Sequence, residues 1–448
     1  MQGHQNYQPE LFSALNVEQL IPKTHLLRRV DRILNLSFVK EFTKDIYCAD
    51  NGRPLVDPEL FVRMLLVSYF YGVKSDRRLC EEVSLNIAYR WFCKLSLTDV
   101  VPDHSSLSKI KDRLGPNLFK KVFDQVIEIC IKNKLVKRSD VKVMVDSSLI
   151  KADAALNSLV KKDATDDEIK NRPTLNRGQK YSNKTHKSCS DNDATLSSKP
   201  GAVTALYHKV HNAIDAESRV IVDTITTTGS VVDGQALQPH VERLEAEGFK
   251  VSEMIADRAY GTGENLTYLE DKKIKHFVPL FHKDVGGHLD NFKYDKKNDL
   301  FICRANKSLV RKFLDQENFV RYSASTKDCR GCEFYKDCFP KGSKVPRGKS
   351  LNVSIFREIQ SVVREKEKTE EFKQKLNERM WKIEGVFGEA KNNHNLRKAK
   401  YRGLEKIQIQ AYMTATVQNL KRVLTSGLNS LSGFIFSLRF ESLVLIKL

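Results

Sequence analysis

Apolar residues recur every three or four positions through most of the first 136 residues. The clearest stretch, Pro58-Glu-Leu-Phe-Val-Arg-Met-Leu-Leu-Val-Ser-Tyr-Phe-Tyr71, stops at Gly72, and its spacing predicts a helix with a face turned to a core. Ser75 is placed to cap a helix through Arg77, Leu79 and Val83, and Asp103 to cap another through Leu107, Ile110 and Leu114. The period then shortens to two. Val141-Lys-Val-Met-Val-Asp146 alternates and is β-branched, which predicts a strand ending in an acid. Tyr207 to Asp215 and Arg219 to Thr227 flank Ala216-Glu-Ser218 as hairpin partners. A helix from about Gln235 to Glu247 leads to a second acid-tipped strand, Val251 to Asp257, and another helix precedes Lys275 to Leu280. A hairpin run followed by alternation with helices describes a mixed α/β sheet.

Two stretches break this pattern. Residues 157–201 are polar with few large apolar side chains and predict a long, mobile loop, while a Gly-, Lys- and Cys-bearing segment after Phe281 reads as an insertion. Helix returns from Glu358 to about Leu424, broken near Asn392–Asn395 and at Arg402-Gly403. The expected partition is a helical region at 1–138, a catalytic-type core at 139–285 with the polar insertion inside it, a Cys-bearing subdomain at 286–350, the second part of the core at 351–428, and an apolar tail at 429–448.

Composition narrows the class. With 448 residues, 41% hydrophobic and 29% charged, the chain has room for two or three domains. A net charge of +19 favours a polyanionic partner, DNA or RNA, over an acidic small molecule. No apolar run follows Met1-Gln-Gly-His, and Arg439 and Glu441 interrupt the apolar end at 433–448, so a cytoplasmic protein without a membrane span is expected. That tail is expected to dock on the protein or on a second copy. Nine cysteines fit reduced thiols.

Asp146 and Asp257 close apolar strands, where α/β sheets present ligands, although an aspartate there also serves as a turn residue or helix cap. Glu384 and Lys391, seven residues apart in Glu384-Gly-Val-Phe-Gly-Glu-Ala-Lys391, fall on nearly one helical face. Three carboxylates from separate elements are the donor set for two divalent cations about 3.5–4 Å apart, the chemistry of phosphodiester cleavage. Asp153, Asp215, Asp223 and Glu389 compete for that role, with Asp215 ranked lower at a turn and Glu389 lower on another helical face. Beyond Glu384, Lys391, Arg397, Lys398 and Arg402 form a basic run suited to phosphates. Arg77, Arg78, Lys109 and Arg113, with Lys111 between them, suit either a helix-turn-helix-like DNA reader or the solvated face of a plain bundle.

Cys303, Cys329, Cys332 and Cys338 make a complete tetrahedral set for a structural zinc. Four thiolates also suit an iron–sulfur cluster, and small buried apolar cysteines are the plainer alternative. No P-loop occurs, Gly261-Thr-Gly263 lacks the third glycine of a dinucleotide fingerprint, and His394, close to the Glu384 helix, reads as polar surface.

Taken together, Val143-Met-Val-Asp146-Ser-Ser-Leu-Ile-Lys-Ala, Ile255-Ala-Asp257-Arg-Ala-Tyr260-Gly, the Glu384 to Lys391 block, Leu396-Arg-Lys and Tyr401-Arg-Gly-Leu404 resemble the catalytic blocks of bacterial insertion-sequence transposases of the DDE type. Pro54-Leu-Val-Asp-Pro-Glu-Leu, Tyr71-Gly-Val-Lys-Ser, Asn86-Ile-Ala-Tyr-Arg-Trp91 and Pro102-Asp-His-Ser-Ser106 resemble the helical domain that precedes that core, and Leu206 to Asp215 resembles part of the core itself. The resemblance implies a ribonuclease-H-like core in which Asp146, Asp257 and Glu384 bind two Mg²⁺ (or Mn²⁺) ions. It implies binding of terminal inverted repeats, hydrolysis that exposes a 3′-hydroxyl, and attack of that hydroxyl on target DNA. A homodimer on DNA and a nucleoid-associated location follow from the same resemblance. The alternatives are a nuclease that cuts without joining and a catalytically silent, sequence-specific DNA-binding protein derived from a transposase. One departure stands out. Relatives carry Tyr-x2-Arg-x3-Glu-x6-Lys, but here the Arg and Tyr positions hold Met380 and Asn377. Arg379, five residues before Glu384 and so about 500° around the helix, is expected off the Glu384 face and out of the phosphate-contacting role.

Overall fold

The apolar run at 58–70 forms a helix buried on nearly every side, so it is a central element and not a surface one. The computed structural model describes residues 16–46, 56–170, 181–198, 203–281, 289, 291–312, 318–339 and 348–444, with side chains to 426. Its first helices are α1 (Val17–Leu20), α2 (Leu26–Ile33), α3 (Phe38–Thr43), α4 (Pro58–Phe70), α5 (Asp76–Leu85), α6 (Ile87–Phe92) and α7 (His104–Lys132). Ser75 and Asp103 cap α5 and α7 as their positions predict, accepting from Arg78 N and Ser105 N. α7 bends at Gly115, whose φ of 59° lies where glycine is at ease, and Pro116 follows.

The chain then builds a sheet. In order come β1 (Val141–Lys151), β2 (Leu159–Lys161), α8 (Asp166–Lys170), β3 (His186–Ser188), β4 (Thr195–Ser197), β5 (Ala205–Asp215), β6 (Ile221–Thr228), α9 (Leu237–Ala246), β7 (Val251–Ile255), α10 (Gly263–Asp271) and β8 (Lys275–Phe277). β6, β5 and β1 are antiparallel neighbours, and β1, β7 and β8 run parallel. β1 is longer than its alternating core predicts. Its parallel partner stops at the pair Met144 and Ile255, but β5 stays paired with it as far as Lys151 and Tyr207. Asp146 therefore ends no strand; it sits just past the point where β1 loses its parallel neighbour.

The polar stretch also departs from expectation. β2 and β3 form a two-stranded ribbon and β4 adds to the outer edge of β5, so the described parts of 157–198 are ordered strands and turns. Polar groups do the ordering: Asn183 bonds both backbone groups of Leu196, and Asp191 is buried against His208 Nε2 at 2.8 Å. Residues 171–180 and 199–201 of that expectation lie outside the described residues.

The Cys-bearing segment is a second sheet. β9 (Phe292–Asp295), β10 (Leu300–Cys303), β11 (Ser308–Lys312) and β12 (Phe319–Ser323) make an antiparallel meander, α11 (Thr326–Cys329) and α12 (Tyr335–Cys338) interrupt it, and β13 (Ser350–Ser354) closes it on β12. Its core is small: Phe301, Leu309, Tyr322, Leu351 and Val353. α13 (Arg357–Lys366), α14 (Glu370–Asn393) and α15 (Leu404–Val444) complete the chain.

One continuous apolar cluster reaches from Leu27 in α2 through β1, β5, β6 and β7 to Leu424 in α15, so the helical region and the main sheet share a core. α15 packs on α7, α4 and β6, while α14 crosses β1, β7 and β8. Two amides of α15 close the open edge of β6. Asn419 bonds N and O of Ile221, and Gln408 bonds Thr226 N and Thr224 O, so backbone groups without a strand partner are still satisfied. His394 is fully buried, with Nδ1 2.6 Å from Tyr69 O, and so is a clamp between α4 and the end of α14 and not surface polarity. Among the described residues no helix is long and apolar enough to cross a membrane; the side chains of the 429–448 tail lie outside the described residues.

Candidate active site

Asp146 and Asp257 meet beneath α14. Asp146 Oδ1 accepts from Ser147 N at 2.7 Å. Asp257, two residues past β7, caps the short turn Arg258–Tyr260 by accepting from Ala259 N at 2.9 Å. Between them lies Arg379, whose Nη2 stands 3.2 Å from Asp146 Oδ2 and 3.9 Å from Asp257 Oδ2, with Nε 3.3 Å from Val145 O. Arg379, expected off the Glu384 face, thus stands at the two aspartates. Helical geometry does carry it off the Glu384 face, but that turn brings it to the buried face of α14, over β1. Nη2 is buried and makes no well-angled hydrogen bond among the described residues, so charge draws it to the carboxylates while Nε anchors the group on Val145 O.

Burial pushes the Asp146 carboxyl up to about 6; the Arg379 cation opposes this, and Asp257 and Asp233 add to it. Asp233 is the acid that sequence reasoning missed. It opens the 3-10 turn Asp233–Ala236 after β6, and Lys209 Nζ holds it at 2.6 Å. Its only sequence signal was an Asp-Gly pair following a strand. The Tyr260 hydroxyl is fully buried without a partner among the described residues; burial first, then Asp146, Asp233 and Asp257, push it well above its ordinary range.

Glu384 is exposed and makes no hydrogen bond or ion pair with a described residue. Lys375 and Lys382 of α14 reach Glu253 Oε1 and Ala216 O, both level with Lys142 near the start of β1. Glu384 lies about 180–200° around the helix from those two lysines. That flank lies away from the two lysines, and no described contact joins Glu384 to Asp146 or Asp257. Lys391 shares that flank and is half-buried. No group of three or more His, Cys, Asp or Glu among the described residues is already at metal-holding spacing. The donor chemistry nonetheless fits a hard divalent cation: two carboxylate oxygens already lie within 4 Å of one cationic nitrogen.

The competing acids are engaged elsewhere. Asp215 accepts from Glu217 N and Ser218 N at its turn, Asp223 pairs with His240 and Arg243, and Glu389 faces His394, Lys421 and Arg422. Asp153 holds Lys398 at 2.8 Å and Arg402 at 3.3 Å. Arg397 and Lys398 lie beside the end of β1, where Lys151 N donates to Arg397 O and Ala399 N to Lys151 O. Lys400 leaves the basic surface altogether: it bonds Ser68 Oγ and Val73 O, and burial pushes its ammonium down to about 8. Lys111 is likewise buried, against Asp76 and over the Tyr401 ring. In the helical region Arg77, Lys109 and Arg113 are exposed, and exposed Arg78 pairs with Glu81 and Glu82.

The four cysteines are brought together. Cys303, Cys329, Cys332 and Cys338 all line one cavity of about 30 Å³, walled by Phe292, Phe334 and Phe339. Lys307 N donates to Cys303 Sγ and Lys349 N to Cys329 Sγ, each at 3.4 Å. All four are free thiols.

Strand order β6-β5-β1-β7-β8, with antiparallel and parallel halves and aspartates on β1 and after β7, defines a ribonuclease-H-like α/β core. Residues 15–113 match the model of a transposase domain, DUF772, and residues 302–424 match that of a transposase DDE domain. The chain is a transposase of the DDE type. Glu384, Lys391 and the four cysteines fall within the second matched segment; Asp146 and Asp257 lie between the two. Among solved structures the chain aligns with piggyBac transposase in a synaptic complex with hairpin DNA at 10% identity, covering 87% of this chain and 72% of that one, with a TM-score of 0.34. It aligns with Mos1 transposase in a paired-end complex with the left transposon end at 9% identity over 53% of this chain and 64% of that one, with a TM-score of 0.16, and with a Mos1 paired-end complex containing Mn at 12% over 56% and 65%, with a TM-score of 0.17. No curated protein matches it in sequence.

Proposed function

We propose that this transposase serves a bacterial insertion sequence: it binds the terminal inverted repeats, hydrolyses a phosphodiester at each end to expose a 3′-hydroxyl, and joins that hydroxyl to target DNA, working as a homodimer on DNA in the cytoplasm, at the nucleoid. The observation that carries this reading is the approach of the Asp146 and Asp257 carboxylates to one cationic nitrogen beside the end of β7. Asp146, Asp257 and, from the flank of α14, Glu384 are the proposed holders of two Mg²⁺ or Mn²⁺ ions. When bound, such ions activate the attacking oxygen and stabilise the leaving one. The chain's own groups supply orientation. Ser147 N and Ala259 N aim the two aspartates. Lys391, Arg397, Lys398 and Arg402 are proposed to hold phosphates near the cut, and Arg77, Arg78, Lys109 and Arg113 to meet the DNA ends on the helical region. The test is cation-dependent cleavage and strand transfer on the element's own ends, comparing wild type with Asp146→Ala, Asp257→Ala and Glu384→Gln. Variants that bind the ends and still cut at the normal rate would sink the assignment. Undiminished end binding after removal of residues 1–135 would defeat the placement of specific contacts on the helices.

A structural zinc at Cys303, Cys329, Cys332 and Cys338 is part of the same proposal. The support is one small cavity touched by all four thiols, with backbone N–H groups already directed at two of the sulfurs. Elemental analysis of the purified protein tests it: one zinc per chain is expected, absorbance near 400 nm would indicate an iron–sulfur cluster instead, and no metal would leave four buried-type thiols.

A further inference from the structure

We infer that Arg379 is a displaceable stand-in for the catalytic cation: its guanidinium holds Asp146 and Asp257 together in the metal-free protein and gives way when a divalent ion enters. The inference rests on the reading of these two aspartates as cation ligands. Position supports it first. Both Oδ2 atoms converge on the same nitrogen, Nη2, at 3.2 and 3.9 Å, so the guanidinium fills the space that a cation shared by the two carboxylates needs. The way it is held points the same way. Nη2 is buried without a well-angled hydrogen bond among the described residues and Nε makes one, at 3.3 Å to Val145 O, so what draws Nη2 to the carboxylates is Coulomb attraction, which a doubly charged ion exerts more strongly on the same oxygens.

The helix that carries Arg379 has little freedom to follow it. Ile383, Val386, Phe387 and Ala390 bury the same face of α14 in the main core, so displacement belongs to the long side chain and not to the helix. One positive charge facing two carboxylates, with Asp233 adding to the negative potential at Asp146, is also undercompensated. Arg379 is thus a positioning residue. It keeps the ligand pair from springing apart before the cation arrives, at the cost of competing with that cation for the same oxygens.

The experiment is calorimetric titration of Mn²⁺ into the full-length, DNA-free protein at pH 8, where the carboxylates are ionised, together with thermal unfolding in chelator. Arg379→Gln is expected to bind Mn²⁺ about tenfold more tightly than wild type, to unfold at a lower temperature in chelator, and to regain more of that loss on adding Mn²⁺. Arg379→Lys, which keeps a charge but not the planar fork, is expected in between and carries the test if the Gln variant fails to fold. Unchanged or weaker Mn²⁺ binding in the folded Arg379 variants overturns the inference. Asp257→Asn separates this failure from that of the site: lost Mn²⁺ binding there upholds the ligand reading, and retained binding overturns both.

Discussion

Asp146 and Asp257 hang from β1 and from the end of β7, strands packed within an apolar core that runs from Leu27 to Leu424. Cys303, Cys329, Cys332 and Cys338 hang from a meander whose own core is five buried side chains. Both are sets of metal-type donors, yet the protein does different work for each. Around the carboxylates, packing and two backbone N–H groups fix the donors in advance, and the long β1–β5 ladder carries Asp146 beyond the reach of β7. Around the thiols there is too little buried area to fix anything tightly, so an ion there would itself supply the order. On the proposed reading, a metal at the first site would serve chemistry and one at the second would serve folding.

That contrast breaks most visibly if the thiols are altered. If the proposed zinc is held there, Cys332→Ser is expected to weaken its binding by several kcal/mol and so to strip amide protection from the β9–β13 meander, while β1, β5 and β7 stay protected in hydrogen exchange. Equal loss in both sheets would show that the meander is not an independent unit. At the carboxylates the effect moves to rate: Asp257→Ala and Glu384→Gln are expected to slow end cleavage by about a thousandfold. Because Glu384 is exposed, its stability should stay within about 0.5 kcal/mol of wild type. Near-normal cleavage by Glu384→Gln would hand the third ligand's place to Asp233.

A smaller effect comes from Glu389, five residues along α14 from Glu384 and buried in a cluster of cations. Burial alone would raise its carboxyl, but His394, Arg422 and Gln418 outweigh that and hold it at about 2. A depressed folded value means that the unfolded chain takes up protons first, so the stabilisation is complete above about pH 4.5 and is lost as pH falls toward 2. Thermal melts between pH 2 and 5 should show about 3 kcal/mol of acid loss that Glu389→Gln lacks; parallel curves for the two proteins would refute it. The smallest change is expected from Asp153→Asn. Its partners Lys398 and Arg402 are exposed, so stability should move by less than about 1 kcal/mol. DNA binding should strengthen slightly as two cations are released, read as a steeper salt dependence.

Much of this architecture is legible in the residues themselves. The alternation at Val141–Val145 and Val251–Ile255 marks the two parallel strands, and Ser75 and Asp103 mark helix starts, because local hydrogen bonding and burial periodicity are encoded within a few residues. What escapes is what depends on a distant partner. β1 runs on through Ser147 and Ser148 only because β5 lies beside it, and a polar run becomes β4 only because Tyr207 and Leu206 offer it an edge. Arg379 looks misplaced when measured against Glu384 along the helix, since that measure ignores which face of α14 covers β1. Lys111 and Lys400 look like surface charge until Asp76, Ser68 and Val73 are folded against them.

The bend after α14 ties both halves of the molecule together at once. On one side His394 and Asn395 grip the backbone of Tyr69 and Gly72, where a side chain on Gly72 would collide with Asn393 O at 2.8 Å; on the other, Arg397 and Ala399 bond to Lys151 at the tip of β1. Such a joint is a soldered corner and not a hinge. On the proposed reading, a duplex held by the helical region would meet the carboxylates at an angle settled when the chain folds, so end alignment would be machined into the monomer and only the pairing of two ends left to assembly.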